Sequence, residues 1–307
     1  MRTGITRAEF LRLGAGAALY AMSPFSLGAD MGQQPLSRRV IPASGEQLPV
    51  IGIGTYRGFD ISSANGAAWA DCRKVLEELF AAGGSVIDSS PMYGQAEEAV
   101  GGLLGELKAH DRAFVATKVW TRGRQSGLEQ MQQSMQLLQS PRIDLMQVHN
   151  LLDWEAHLQT LRQWKEEGRI RYLGVTHYTS SAYDQLEQVL RAEKLDFLQI
   201  NYALNDREAE QRILPLAQER GVAVLINRPF GGGNLLRNLL QQPVPEWAGD
   251  YDCASWPQLL LKFCLSHPAV TCVIPGTGNP RHMRDNLQAG RGKEADQAFR
   301  ERLIGLL

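Results

Sequence analysis

Val86-Ile87-Asp88-Ser89-Ser90-Pro91-Met92-Tyr93-Gly94 is the stretch that decides how this chain of 307 residues folds. It runs from β-forming residues straight into a polar, proline-containing turn, and Asp88 and Tyr93 stand where the strand gives out. The arrangement recurs twice downstream. Phe114-Val115-Ala116-Thr117-Lys118-Val119-Trp120 ends on a lysine and a tryptophan, and Ile143-Asp144-Leu145-Met146-Gln147-Val148-His149-Asn150 ends on a histidine. An α/β barrel gathers its chemistry at the C-terminal ends of parallel strands, so three successive reactive strand ends point to that architecture.

Working outward, strand-like runs recur at 51–56, 85–88, 112–119, 143–149, 171–176, 197–202, 223–227 and 271–274. Helical patterns at 68–82, 97–108, 127–139, 154–167, 181–192, 208–220, 256–267 and 280–289 alternate with them. Eight strand–helix units with no hairpin among them predict a parallel sheet with its helices outside. Their even size favours closure into a (β/α)8 TIM barrel over an open doubly wound sheet. A short N-terminal β-hairpin, 39–42 and 47–50 about a turn at Ser44-Gly45, is expected to cap the barrel bottom, and 293–307 reads as a short terminal helix.

Taken singly, each reactive residue has a plain structural reading. Tyr93 caps a turn, Lys118 ends a solvated strand, Asp88 and Ser89 cap the helix after Gln95, and His149 is a satisfied core histidine. Together they form a chemical chain. A phenol is a poor acid at neutral pH unless a cation stabilises its phenolate, and an ammonium keeps its place only if an anion holds it. Tyr93, Lys118 and Asp88 supply that sequence of groups, and His149 adds a second donor for a developing oxyanion. The set reads as an acid for a carbonyl oxygen.

Composition narrows the function further. Acidic and basic residues nearly cancel, 33 against 32, and no basic stripe suggests a nucleic-acid partner. Cys72, Cys253, Cys264 and Cys272 show no C-x-x-C spacing, so buried reduced thiols are expected and a metal site is not.

On these motifs the chain resembles the aldo-keto reductases. Their Asp, five residues before a Tyr-Gly that leads to Glu and Gly, is matched by Asp88, Tyr93-Gly94, Glu97 or Glu98, and Gly101. Their Thr-Lys-x-Trp is Thr117-Lys118-Val119-Trp120, and their Asp-Leu-x-x-x-His is Asp144-Leu145-Met146-Gln147-Val148-His149. The resemblance implies one barrel domain over 31–307 that reduces an aldehyde or ketone to an alcohol with NADPH, or NADH as the alternative. It makes Tyr93 the proton donor, with Lys118 lowering its pKa, Asp88 holding Lys118, and His149 orienting the carbonyl.

The resemblance also implies a cofactor path. Gly54 and Thr55 lie on it. Thr176 and His177, within Gly174-Val175-Thr176-His177-Tyr178, would hold the nicotinamide carboxamide with Gln199, although His177 stands where relatives carry Asn. Pro229, Phe230 and Gly232, within Asn227-Arg228-Pro229-Phe230-Gly231-Gly232-Gly233, would approach the pyrophosphate, and Asn227 replaces a stacking aromatic. Gly276, Thr277 and Arg281 would face a 2′-phosphate, and Asp285 and Asn286 the adenine. A Lys and an Arg typical of NADP-selective relatives are missing at Gly276 and His282. Tyr56, Met92, Trp120 and Asn150 would form the substrate wall for a small-molecule carbonyl.

Residues 1–30 read differently. Arg2 and Arg7 precede an apolar stretch at 13–22, and small residues follow to Ala29, the plan of a secretory signal peptide. The stretch falls short of the roughly 20 apolar residues that a spanning helix needs, so stable membrane insertion is not expected. Thr6-Arg7-Ala8-Glu9-Phe10-Leu11-Arg12 resembles a twin-arginine signal whose second Arg is Ala8. Export to the periplasm is expected, with a cytoplasmic enzyme bearing an N-terminal tail as the alternative. Two other functions remain at this point: a nicotinamide-binding regulatory protein with little turnover, and a Schiff-base enzyme using Lys118.

Overall fold

Ten short strands, most of those in the main sheet rich in Val, Ile and Leu, are shown in a computed structural model that describes residues 35–307. The leader-like residues 1–30 lie outside the described residues. The chain opens with a two-stranded antiparallel hairpin, β1 (Arg38–Val40) and β2 (Gln47–Pro49), in which Arg39 pairs with Leu48. Gly45 supplies the positive φ of 78° that its turn requires.

The main sheet is wholly parallel and runs in sequence order: β3 (Ile53–Gly54), β4 (Val86–Asp88), β5 (Phe114–Val119), β6 (Ile143–His149), β7 (Ile170–Thr176), β8 (Phe197–Asn201), β9 (Ala223–Asn227) and β10 (Val270–Val273). Parallel bridges from Ile51 to Val273 and from Gly54 to Gly276 join its first and last strands, so the sheet closes into the (β/α)8 barrel.

Helices cover the outside: α1 (Gly66–Ala81), α2 (Ala96–Leu107), α3 (Arg124–Leu137), α4 (Trp154–Glu166), α5 (Tyr183–Ala192), α6 (Ile213–Glu219), α7 (Asn234–Leu239), α8 (Trp256–Leu265), α9 (Pro280–Gln288) and the terminal α10 (Gln297–Ile304). None of the described helices is long and apolar enough to cross a membrane.

Three departures from the sequence pattern have local causes. The first barrel strand is only Ile53–Gly54, and its neighbour Gly52 lies so close to β4 that a Cβ there would meet Val86 Cβ at 2.7 Å. The helix expected over 208–220 breaks into a 3-10 turn, Glu208–Glu210, and α6, because Pro215 is tolerated only in a first turn. Residues 234–251, left unassigned by periodicity, form α7 and a 3-10 segment, Glu246–Tyr251.

Two apolar layers hold the barrel. One lies between strands and helices, where Val100, Leu103, Leu158, Leu161 and Leu186 are buried against outward-facing strand residues such as Val115, Val148 and Val175. The other fills the barrel interior near the strand starts, where Val86, Phe114, Leu145, Tyr172, Phe197 and Ala223 meet Ile41 and Leu48 of the hairpin segment. The hairpin therefore plugs the bottom, as its position in the sequence suggested. Arg39 secures it by donating to the carbonyls of Leu265, His267 and Val270 at the end of α8. Each large side chain so buried contributes about 1.5–3 kcal/mol.

Candidate active site

Strand alternation brings the reactive groups together. On β5 the side chains of Phe114, Ala116 and Lys118 face the barrel interior, while Thr117 faces outward to the buried carboxylate of Glu97. Register places Asp88 beside Ala116, Lys118 beside Gln147, and His149, Thr176 and Gln199 in one row across β6, β7 and β8.

Lys118 is fully buried and Asp88 nearly so. Its ammonium donates to Asp88 Oδ2 at 2.7 Å and to the Ser89 carbonyl at 2.6 Å. The other carboxylate oxygen of Asp88 accepts from Gln199 Nε2 at 2.7 Å and Gln147 Nε2 at 3.2 Å. An unpaired charge at this depth would cost several kcal/mol, and this network supplies the compensation. Burial alone would lower the Lys118 pKa, but Asp88 and Tyr93 outweigh it and the net direction is upward. The amine is therefore charged and inaccessible, which argues against a Schiff-base nucleophile.

Tyr93 lies above this pair, its ring centroid 5.0 Å from the Lys118 ammonium. Burial raises the phenol's pKa; Lys118 pulls in the opposite direction without reversing it, and Asp88 adds to the rise. The expectation of a lowered Tyr93 pKa is thus met as one contribution and not as the net result. The phenol holds its proton at neutral pH, as a general acid must. His149 meets the Tyr93 ring edge-on at 6.3 Å. Its pKa is pushed down to about 3 by burial, with the charge of Lys118 and the proximity of His177 adding to the effect, so the imidazole is neutral.

The four proposed wall residues surround this centre to differing degrees. Tyr56 lies 5.1 Å from Tyr93, Trp120 lies 6.2 Å from His149, and Tyr56 and Met92 are exposed on the open rim. Asn150 follows His149 with φ 54°, and Leu151 and Asp153 also have positive φ values of 55° and 52°. Non-glycine residues in that region cost of order 1–3 kcal/mol each, a concentration of strain beside reactive groups. The Asn150 amide oxygen is buried without a partner among the described residues.

Residues proposed for the cofactor fall into two groups. Thr176 Oγ1 donates to Gln199 Oε1 at 3.1 Å, and Asn227 Nδ2 donates to the same oxygen at 3.4 Å and to the His177 carbonyl at 3.0 Å. Gln199 is thus committed largely to Asp88, Thr176 and Asn227, whereas Asn227 Oδ1 is buried with no partner among the described residues. His177 stacks on Tyr178 at 5.5 Å. Pro229 and Phe230 lead into Gly231, Gly232 and Gly233, whose φ values of 60°, 68° and 96° lie in the left-handed region that favours glycine. Arg228 crosses this loop, with its Nη2 2.6 Å from where a Cβ on Gly232 would stand.

The second group is more engaged with the protein itself. Gly54 abuts the Ile274 carbonyl and bridges Gly276, and Thr55 Oγ1 lies 3.1 Å from the Asp88 carbonyl and 3.0 Å from Ser89 Oγ. Thr277 Oγ1 accepts from Asn279 N–H at 3.0 Å ahead of α9. Arg284 is tied to Glu78 at 2.8 Å, leaving Arg281 as the cation there without an ion pair among the described residues. Asp285 accepts from Ser255 Oγ at 2.8 Å and Gln258 Nε2 at 2.6 Å and so knits α9 to α8, and Asn286 beside it is buried.

An open glycine loop and orphaned amide oxygens at Asn227 and Asn150 suit a ligand rich in phosphate and amide groups, as a nicotinamide dinucleotide is. Sequence reasoning passed over Gln147, Ser90 and the polar side of Asn227. Their signal was present: each is a polar side chain on, or just past, an otherwise apolar strand face.

A family model described as the aldo/keto reductase family matches residues 50–301. A methylglyoxal reductase of Escherichia coli, YeaE, is 28% identical over 260 residues, covering 82% of this chain and 89% of its own. An NADH-specific methylglyoxal reductase of the same organism is 24% identical, with 79% and 90% covered. The crystal structure of an aldo-keto reductase from Klebsiella pneumoniae in complex with NADPH shares the fold, with a TM-score of 0.74 at 24% identity over 89% of this chain and 95% of that one.

Proposed function

This chain belongs to the aldo/keto reductase family, whose general activity is NAD(P)H-dependent carbonyl reduction, and on that premise we propose that it reduces a small aldehyde or ketone to an alcohol with Tyr93 as the acid. The observation that carries the reading is the buried Lys118–Asp88 pair set beneath the Tyr93 ring and beside neutral His149. A reduced nicotinamide supplies the hydride when bound. Thr176, Asn227 and the 231–233 loop would hold it, with Arg281 near its adenosine end.

The chain's own residues handle the proton and the oxygen. Tyr93 delivers its proton to the carbonyl oxygen as negative charge builds there. Lys118 stabilises the phenolate that remains, and Asp88, pinned by Gln147 and Gln199, keeps the ammonium in place. His149 offers a second hydrogen bond to the oxygen. Tyr56, Met92, Trp120 and Asn150 border the cleft, and their open rim suits small or aromatic carbonyls. The names of two relatives make methylglyoxal the first aldehyde to offer, and one relative named NADH-specific beside a solved structure holding NADPH makes both cofactors a necessary pair.

Consumption of both cofactors should be followed with methylglyoxal and an activated aromatic aldehyde, using the full chain and Tyr93→Phe. We expect turnover to fall by about 10²-fold or more in the variant while cofactor binding, read by fluorescence quenching, is retained. Undiminished turnover would remove Tyr93 from its role. Binding without turnover in the parent protein would favour a regulatory nicotinamide-binding function.

A further inference from the structure

The turn that carries Tyr93 also carries Ser90, a buried residue with no part in the chemistry described so far. Tyr93 N–H donates to the Ser90 carbonyl at 3.0 Å, closing a turn with Pro91 at its second position. Within it Ser90 Oγ lies 3.3 Å from Met92 N–H and 3.2 Å from His149 Nδ1. One four-residue turn thus sets both the phenol and a hydroxyl aimed at the neighbouring imidazole.

Hydrogen-bond valence favours one direction for that contact, because a donating Nδ1 would leave the Ser90 hydroxyl proton without an acceptor among the described residues. A backbone N–H only donates, so Oγ accepts from Met92. The single hydroxyl proton then has one acceptor among the described residues, His149 Nδ1. In a neutral imidazole one nitrogen carries the proton and the other accepts, so an accepting Nδ1 requires the proton on Nε2. Nε2 has no partner among the described residues, and it lies on the ring edge away from Ser90.

We propose that Ser90 is a positioning residue that fixes His149 in its Nε2–H tautomer, so that the ring presents a donor to the oxygen of the bound carbonyl. The proposal rests on the reductase reading for its purpose but not for its geometry. In the opposite tautomer Nε2 would present a lone pair to an oxygen that is gaining negative charge, and that oxygen would be repelled. The buried site keeps the ring neutral, so protonation of both nitrogens does not bypass the choice.

Nitrogen-15 correlation spectra of the full chain test this directly, with the His149 signals assigned by their loss in His149→Gln. The expected spectrum shows an accepting Nδ1 and a protonated Nε2. Ser90→Ala should give a mixture of tautomers and lower kcat/KM by about tenfold, while the dissociation constant for NADPH stays the same. Ser90→Thr should restore both the spectrum and the rate. A protonated Nδ1 in the parent protein, or an unchanged His149 signature in Ser90→Ala, overturns the proposal. Failure of the reductase reading looks different: no cofactor is consumed by the parent protein, whatever the spectra show.

Discussion

At the bottom of the barrel, Phe114, Tyr172 and Phe197 pack with ring centroids 5.4–6.0 Å apart and the hairpin closes over them. At the top, on the same strands, Lys118, Gln147 and Gln199 converge on one carboxylate. The change takes two-residue steps along each inward face: Phe114, Ala116, Lys118 on β5; Leu145, Gln147, His149 on β6; Phe197, Gln199, Asn201 on β8. The bottom is satisfied by contact area together with closed polar contacts, the Tyr172 hydroxyl with the Ser44 and Glu46 side chains and Arg39 with backbone carbonyls. The top is satisfied only in part, and amide oxygens of Gln147, Asn150, Asn201 and Asn227 are left buried without partners among the described residues. One end is finished as a protein core; the other is arranged for something else to complete it.

Removing charge from the top should have the largest effect. Lys118→Met strands Asp88 as a buried carboxylate, so we expect a loss of about 3–5 kcal/mol in denaturant melts together with loss of turnover. Adding Asp88→Asn should recover much of the stability and none of the turnover. A single variant as stable as the parent would mean that the top tolerates an unpaired charge and differs less from the bottom than its geometry indicates.

Phe197→Ala tests the other end. A cavity in the aromatic plug should cost about 3–5 kcal/mol, yet turnover per folded molecule should stay within about twofold. A large loss of turnover would show that the plug positions the site as well as supporting it.

Acid sharpens the comparison further. The pKa of His149 is 6.5 in the unfolded chain and about 3 in the folded one, so below pH 6.5 the unfolded state binds a proton that the native state refuses. Its contribution favours folding fully above that pH and is lost progressively as pH falls toward 3. Denaturation midpoints at pH 7 and 4.5 should therefore differ less in His149→Gln than in the parent. An unchanged difference would place the acid sensitivity elsewhere.

The smallest effect belongs to the exposed rim. Arg284→Ala breaks a solvated pair with Glu78 and should leave both the denaturation midpoint and NADPH binding essentially unaltered. Arg281→Ala should weaken binding of NADPH more than of NADH, measured by the same quenching titration. Equal responses would remove the distinction drawn between the two arginines.

Much of the fold was legible because each strand carries its own punctuation. Asp88, His149, Thr176 and Asn227 each close a short apolar run, and the even alternation with helical patterns announced a barrel. Less of the site was legible. Gln199 was expected at the cofactor, yet its amide nitrogen holds Asp88, a partner 111 residues away in sequence. Asp285 was expected at the adenine, yet it caps α8 through Ser255 and Gln258. Such exchanges have no local signature, because a polar side chain in a motif looks the same whichever donor it meets.

The sequence by itself determined the eight-unit order, the hairpin and the presence of Asp88, Tyr93, Lys118 and His149 at strand ends, because local pattern and turn chemistry act over a few residues. Only the tertiary structure decided which donors meet the Asp88 carboxylate, which way burial moves Tyr93 and His149, and that Ser90 reaches His149 across 59 residues. Those outcomes depend on strand register and on exclusion of water when the barrel closes, and both are properties of the assembled molecule.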